Sequence, residues 1–204
     1  MKLLGSPTSP YVRKVRLVIE EKNVPCEFVI DRPSEPGSKV PEHNPLGKVP
    51  VLVLDNGRAI YDSPVITEYL DGYTGKPTLL PAVFAERIEV KRWEALSDGI
   101  ADATVAVSHD FRKPAGSRES PAWYDKQSQK ILRGLATIAG DLGDREFCHG
   151  SAFSLADIGA GYALAYLDRA WRDIEWRALH PTLKRYYDKL SQRSSFQKTQ
   201  YPAG

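Results

Sequence analysis

Four residues near the start of the chain, Ser9-Pro10-Tyr11-Val12, bring together a hydroxyl, a proline and an aromatic ring. Serine is a favoured N-cap and proline is tolerated at the first helical position, so these residues should open a helix. A hydroxyl placed there, beside the unpaired N–H groups of the first turn, favours a bound anion. A hydrogen bond to a charged group contributes about 1.5–3 kcal/mol, and the helix terminus adds roughly 0.3–1 kcal/mol. At about 1.4 kcal/mol per pKa unit, the two would lower a bound thiol from about 8.5 by one to two units and hold it as a thiolate. Capping alone would also account for Ser9. Cysteines at positions 9 and 12 would give dithiol–disulfide exchange, but serine and valine stand there, and the chain's two cysteines, Cys26 and Cys148, lie elsewhere. Without an attacking and a resolving thiol that exchange cannot run at this place.

Two further segments could line the same cleft. Lys48-Val49-Pro50-Val51-Leu52 sets a proline immediately before an apolar run that reads as a strand. If the Val49–Pro50 bond is cis, the backbone of Val49 turns outward and can pair with an extended peptide; a trans edge proline is the plainer alternative. Asp62-Ser63-Pro64 repeats the cap-plus-proline device, with an acceptor and a donor side by side at a second helix start. That pair suits a ligand bearing both a carboxylate and an ammonium group, although simple capping would again suffice. Ser154-Leu155-Ala156-Asp157 has the spacing of a helix-capping box ahead of an apolar run, so Asp157 is expected to be structural. The histidines, His43, His109, His149 and His180, are scattered without metal-ligand spacing, and no metal is expected.

The elements that must position these residues change character along the chain. Eleven of the 15 prolines lie at or before Pro81, whereas all four tryptophans lie after it. Because proline punctuates short elements and is excluded from helix interiors, the first 80 or so residues should mix strands and helices and the rest should be long helices. Residues 2–5 read as a strand, a helix follows from Ser9, and residues 26–30 are β-prone. A loose Pro/Ser/Gly-rich stretch, 32–45, precedes a hairpin signal: residues 51–54, the turn Asp55-Asn56-Gly57, and residues 58–61. A helix from Ser63 closes the series. The order β-α-β, loose segment, β-β-α is a thioredoxin-like layout. Beyond it, Phe84, Ile88, Leu96, Ile100, Ala103, Val107 and Phe111 recur near helical spacing, as do Ile131, Leu135, Ile138 and Leu142 after Ser120-Pro121. Residues 154–167 carry one charge, Asp157, and should form a central helix buried all round; Leu183, Tyr186, Tyr187 and Leu190 suggest a last helix. The expected organisation is an α/β thioredoxin-like domain (1–76), a linker (77–82) and an all-α helical bundle domain (83–204).

Composition bounds what such a chain can be. Its 204 residues are 42% hydrophobic and 26% charged, ordinary for a globular protein, and 28 basic against 26 acidic residues leave a net charge of +2. That balance argues against a nucleic-acid binder working through a broad basic field. No apolar run reaches the roughly 18 residues of a membrane span, and the apolar part of residues 1–7 is too short for a secretory leader. Two cysteines far apart suit a reducing compartment, so a cytoplasmic location is expected.

Taken together, Ser9-Pro10-Tyr11, the run Asn44-Pro45-Leu46-Gly47-Lys48-Val49-Pro50-Val51-Leu52, Asp62-Ser63 before a helix, and Ser154-Leu155-Ala156-Asp157 resemble the glutathione S-transferase family in identity, order and spacing. The Ser-Pro-aromatic form is similar to serine-type members of bacteria and to plant tau-like members, and the likeness covers essentially the whole chain. The resemblance implies glutathione as co-substrate, with Ser9 hydrogen-bonding its thiolate. It implies that Val49 pairs its backbone with the cysteinyl portion beside a cis Pro50, and that Asp62 and Ser63 bind the γ-glutamyl end. Asp62 is a shorter acid than the glutamate of many members. Lys48 would approach the glycine carboxylate, with Lys39 as a rival. Asp98 resembles an aspartate that some members extend across a dimer interface to the partner's glutathione. Tyr11, Asp102, Val105 and His109 would line the pocket for an unidentified electrophile, and the chain would act as a homodimer in detoxification. A non-catalytic protein-binding module and a glutathione-dependent peroxidase, dehalogenase or isomerase share the same architecture and stand as alternatives.

Overall fold

The computed structural model describes residues 1–202, which fall into two compact units. The first comprises residues 1–80 with the described residues from 193 onward, and the second residues 81–192.

The first unit is built on a four-stranded sheet. β1 (Lys2–Gly5) pairs in parallel with β2 (Glu27–Ile30) and antiparallel with β3 (Val51–Val53), which pairs with β4 (Ala59–Ile60); the spatial order is β2-β1-β3-β4. α1 (Pro10–Lys22) and α3 (Ser63–Thr74) pack on each other. The apolar spacing of α1 puts Val12, Val15, Leu17 and Val18 in the core with Leu3, Leu52, Ile66 and Leu70. α1 stops at Asn23, whose left-handed backbone (φ 50°) turns the chain toward β2.

Buried charges tie the far ends of these helices. Lys22 Nζ meets Asp71 Oδ1 at 3.1 Å and donates to the carbonyls of Asp71 (2.9 Å), Gly75 (3.1 Å) and Pro77 (2.5 Å). Asp71 in turn accepts the backbone N–H groups of Leu79 (2.7 Å) and Leu80 (3.1 Å). Every polar atom of the pair therefore has a partner, which is the condition for keeping an ion pair inside.

Three expectations are corrected here. The stretch expected to be loose contains a short helix, α2 (Val40–His43). Ser63 is not a cap: Asp62 takes the N-cap position without a side-chain cap bond, and Ser63 is the first helical residue. Proline is compatible with the first turn at either register because no N–H is required there. Finally, residues 193–202 group with the first unit and not with the helical bundle. α9 (Ser194–Lys198) lies on α1, where Glu21 accepts from Arg193 (3.0 and 2.8 Å) and from Ser195 Oγ (2.5 Å). Arg13 is clamped over Phe196 and Tyr201, with its guanidinium carbon 5.8 and 4.8 Å from the ring centroids.

The second unit is all helical: α4 (Phe84–Phe111), α5 (Pro121–Leu142), α6 (Leu155–Ala170), α7 (Trp176–Leu179) and α8 (Pro181–Ser191). Ser120 caps α5 by accepting from Trp123 N at 3.3 Å, and Ile131, Leu135, Ile138 and Leu142 form its buried face. α6 is buried on all sides from Leu155 to Leu167 and packs against α4. Its start is the capping box foreseen from sequence, and it does more than cap. The Asp157 carboxylate accepts Ser154 N (2.7 Å), Ser154 Oγ (2.9 Å), Cys148 N (2.8 Å) and the Tyr186 hydroxyl. Burial pushes the Cys148 thiol well above its ordinary range and Asp157 adds to it, so the sulfur stays protonated and inert. A thioredoxin-like α/β unit and a helical bundle are thus both present, as the sequence implied. No helix of the described residues is long and apolar enough to cross a membrane.

Candidate functional site

Sheet register gathers the candidate residues of the first unit at one end. Leu4 of β1 pairs with Val51 of β3, so Gly5 and Ser6 run off the sheet at the same end as Pro50 and Val49. Leu52 pairs with Ile60, so Tyr61 and Asp62, leaving β4, run off that end too. β2 is parallel to β1 with Gly5 opposite Ile30, and Asp31 N donates to Gly5 O at 3.1 Å, so the chain after β2 also leaves there. Ser9, Val49, Pro50, Asp62 and Ser63, with the segment leading to Lys39, therefore share one sheet end. Lys48 precedes Val49 on the β3 side.

Ser9 sits where its sequence placed it. It is the N-cap of α1, extended at φ −77°, ψ 130°, and its Oγ accepts Val12 N at 3.4 Å. That contact uses a lone pair of the oxygen and leaves the hydroxyl proton to donate elsewhere. Capping and ligand binding are accordingly compatible in the same side chain. The turn before it is braced by Ser6, whose carbonyl accepts Ser9 N at 3.1 Å and whose hydroxyl lies 2.8 Å from Thr8 Oγ1.

The Val49–Pro50 peptide bond is cis, as are Tyr61–Asp62 and Lys76–Pro77. Val49 is half-buried and Pro50 buried. Their approach to β3 is held by Asn44, which sequence reasoning quoted but gave no role. Its buried amide donates to Lys48 O (2.8 Å) and accepts Leu46 N (3.0 Å). An asparagine opening a turn before proline was the available signal. Asp31 was missed as well. Its carboxylate accepts Ser38 Oγ at 2.6 Å and Lys39 N at 3.0 Å, closing the loop between them; nothing local in sequence announces a contact across seven or eight residues. Asp62 is exposed and Ser63 buried. Tyr11 is half-buried on the first turn of α1.

In the second unit Asp98, Asp102, Val105 and His109 fall on one stripe of α4 at spacings of four, three and four. Asp98 accepts the Tyr162 hydroxyl of α6. Burial lowers the pKa of His109 and the positive charge of Arg112 adds to the effect, so the imidazole is neutral at neutral pH. Among the described residues there is no group of three or more His, Cys, Asp or Glu side chains able to hold a metal ion.

Comparison with known proteins yields a consistent set of matches. Residues 8–72 match the family model described as the N-terminal domain of glutathione S-transferase, and residues 121–189 match the corresponding C-terminal domain. A GST-like protein of Escherichia coli K12, YibF, is 36% identical over 202 residues, 99% of each chain. A glutathione S-transferase of Methylobacillus flagellatus, solved with GSH bound, superposes with a TM-score of 0.94 at 44% identity over 98% of each chain. One from Methylobacterium radiotolerans, in complex with glutathione sulfonate, gives a TM-score of 0.93 at 39% identity, covering 100% of this chain and 96% of the other.

Proposed function

This chain belongs to the glutathione S-transferase family and is an enzyme of that class, and from that premise we propose that it binds glutathione at the end of its small sheet and uses Ser9 to hold the thiolate. The carrying observation is the geometry of Ser9: an N-cap whose oxygen accepts Val12 N while its proton remains to be donated, at the sheet end shared with Val49, Asp62 and Ser63. Ser9 acts as a neutral donor. The thiol proton leaves to solvent, the sulfur lone pair attacks an electrophilic carbon of an apolar substrate, and a sulfur–carbon bond forms as the leaving group departs with its electron pair. Val49 would pair its backbone with the cysteinyl portion beside Pro50, and Asp62 and Ser63 would take the γ-glutamyl end. Tyr11, Asp102, Val105 and His109 are proposed to contact the electrophile, and Asp98 to reach a partner subunit's glutathione.

Other expectations stand as parts of the same proposal. Two free cysteines suit a reducing, cytoplasmic setting. The exposed apolar residues Val83, Phe84 and Ile88 at the start of α4 support association as a homodimer. Detoxification of electrophiles is the role such chemistry would serve.

The test is the ionisation of bound glutathione followed by thiolate ultraviolet absorbance. Removing a hydrogen bond to a charged group costs about 1.5–3 kcal/mol. At about 1.4 kcal/mol per unit, Ser9→Ala should raise the bound thiol's pKa by about one to two units. An unchanged ionisation profile would take Ser9 out of the role. A calorimetric titration in which the wild type fails to bind glutathione would favour a non-catalytic protein-binding module.

A further inference from the structure

Charge is divided unevenly along the face of α1 that the last residues of the chain cover. Arg13, Arg16 and Glu20 recur there at helical spacing, with Glu21 beside Glu20. Residues 193–202 meet the two ends of this row with opposite chemistry. The acids of the last turns receive cations: Glu21 takes Arg193 at 2.8 Å, and Glu20 takes Lys198 at 3.0 Å. The arginines nearer the start of α1 receive neutral groups. Arg16 donates to Lys198 O at 3.2 Å and lies over Phe28, its guanidinium carbon 4.7 Å from the ring centroid. Arg13 donates to Phe196 O at 3.5 Å, lies over the rings of Phe196 and Tyr201, and is only 5% exposed. Among the described residues its buried Nε has no hydrogen-bond partner and no carboxylate pairs with it.

We infer that Arg13, clamped by residues 193–202, stabilises the thiolate bound at Ser9 through its uncompensated charge; this rests on the glutathione reading above. Arg13 N donates to Ser9 O at 3.1 Å, the bond that closes the first turn of α1. Helical side chains lean toward the helix N-terminus, so an arginine at this position leans back over the turn that Ser9 opens. A cation in the first turn opposes the helix dipole, and a buried ion without a counter-ion lowers stability. Arginine between aromatic rings is the side chain that best tolerates such a place. An anion at Ser9 relieves both costs. The acids able to cancel the charge, Glu20 and Glu21, stand about two turns further on and are engaged by Lys198 and Arg193, while Asp71 of α3 is engaged by Lys22. Lys14, buried at the next position, keeps its place throughout the comparison below. Unit charges about 10 Å apart, at an effective dielectric constant of about 20, shift one another by about one pKa unit.

The experiment follows the ionisation of bound glutathione by thiolate absorbance in the full chain, beside calorimetric titration with S-methylglutathione, whose sulfur cannot ionise. Arg13→Met keeps an apolar side chain between the rings without the charge. It should raise the bound thiol's pKa by about one unit and leave S-methylglutathione affinity unchanged. Arg13→Gln, which can still donate to Phe196 O, should give the same shift, and Arg13→Lys should recover most of it. An unchanged ionisation in either neutral variant would overturn the inference. So would a shift in Arg13→Lys as large as in Arg13→Met, or an S-methylglutathione loss equal to that for glutathione, since either assigns the effect to packing of the first turn. If Ser9→Ala raises the pKa and Arg13→Met does not, the role of Arg13 falls and the thiolate site stands. A wild type that binds neither glutathione nor S-methylglutathione removes the glutathione reading itself.

Discussion

Replacing Asp157 by alanine should unfold this protein before it disables it. The carboxylate is fully buried and takes four donors: Ser154 N, Ser154 Oγ, Cys148 N and the Tyr186 hydroxyl. Alanine leaves the two backbone N–H groups with nothing to meet, at about 1–3 kcal/mol each. Tyr186 is compensated in part, because Cys148 Sγ lies 3.2 Å from its oxygen. The sum is about 4 kcal/mol, within the range for breaking a buried charged network. For a chain of this size it corresponds to a fall in Tm of roughly 8–16 °C. Urea unfolding of wild type, Asp157→Ala and Tyr186→Phe, with the double variant, measures both the loss and its coupling. Tyr186→Phe should cost about 1 kcal/mol, and the pair should be non-additive because the two groups share one bond. At temperatures where the variant is still folded, glutathione affinity should be unchanged. A loss below about 1 kcal/mol would refute the reasoning, since donors left without a partner in a closed site must then have found one.

Three other perturbations follow from particular contacts. A Cβ added at Gly5 would lie 2.5 Å from Val12 Cγ2, so Gly5→Ala must push on the first turn of α1; a stability loss of about 1–3 kcal/mol, with weakened glutathione binding, is expected by denaturation and calorimetry. Lys22→Met leaves the Asp71 charge buried without its cation and should cost about 3–5 kcal/mol, whereas Lys22→Met with Asp71→Leu should recover part of it in the same unfolding assay. Asp110 is held down to about 2 by the Lys113 ammonium and the Tyr124 hydroxyl. Because its folded pKa lies below the usual value near 4, its stabilising contribution is fully present above that value and fades as pH falls toward 2. The stability gap between wild type and Asp110→Asn should therefore stay constant above about pH 5 and close below pH 4, as read from denaturation at several pH values.

Signals carried within one turn of chain were legible in advance. Ser9-Pro10, Ser120-Pro121 and the Ser154–Asp157 box each use a side chain to satisfy an N–H two or three residues on, so residue type and spacing suffice to announce them. The same holds for the stretch 154–167, whose single charge implied burial on all sides, and for the β-hairpin marked by Asp55-Asn56-Gly57. Such features made the family resemblance visible as well.

What joins these pieces depends on partners distant in sequence. Nothing in residues 193–202 reveals that they return to α1, because the Glu21–Arg193 and Arg13–Phe196 contacts bridge more than 170 positions. The burial of Lys22 and Asp71 depends on the chain after α3, which brings carbonyls to the ammonium and N–H groups to the carboxylate. That the segments carrying Ser9, Val49 and Asp62 leave the sheet at one end is likewise a property of strand order and register, and hydrogen bonds between strands are indifferent to the intervening chain. Sequence alone determined which residues could cap, donate or bury themselves; only the packed structure decided which of them would meet, because burial and pairing are settled by neighbours that local chain geometry does not specify.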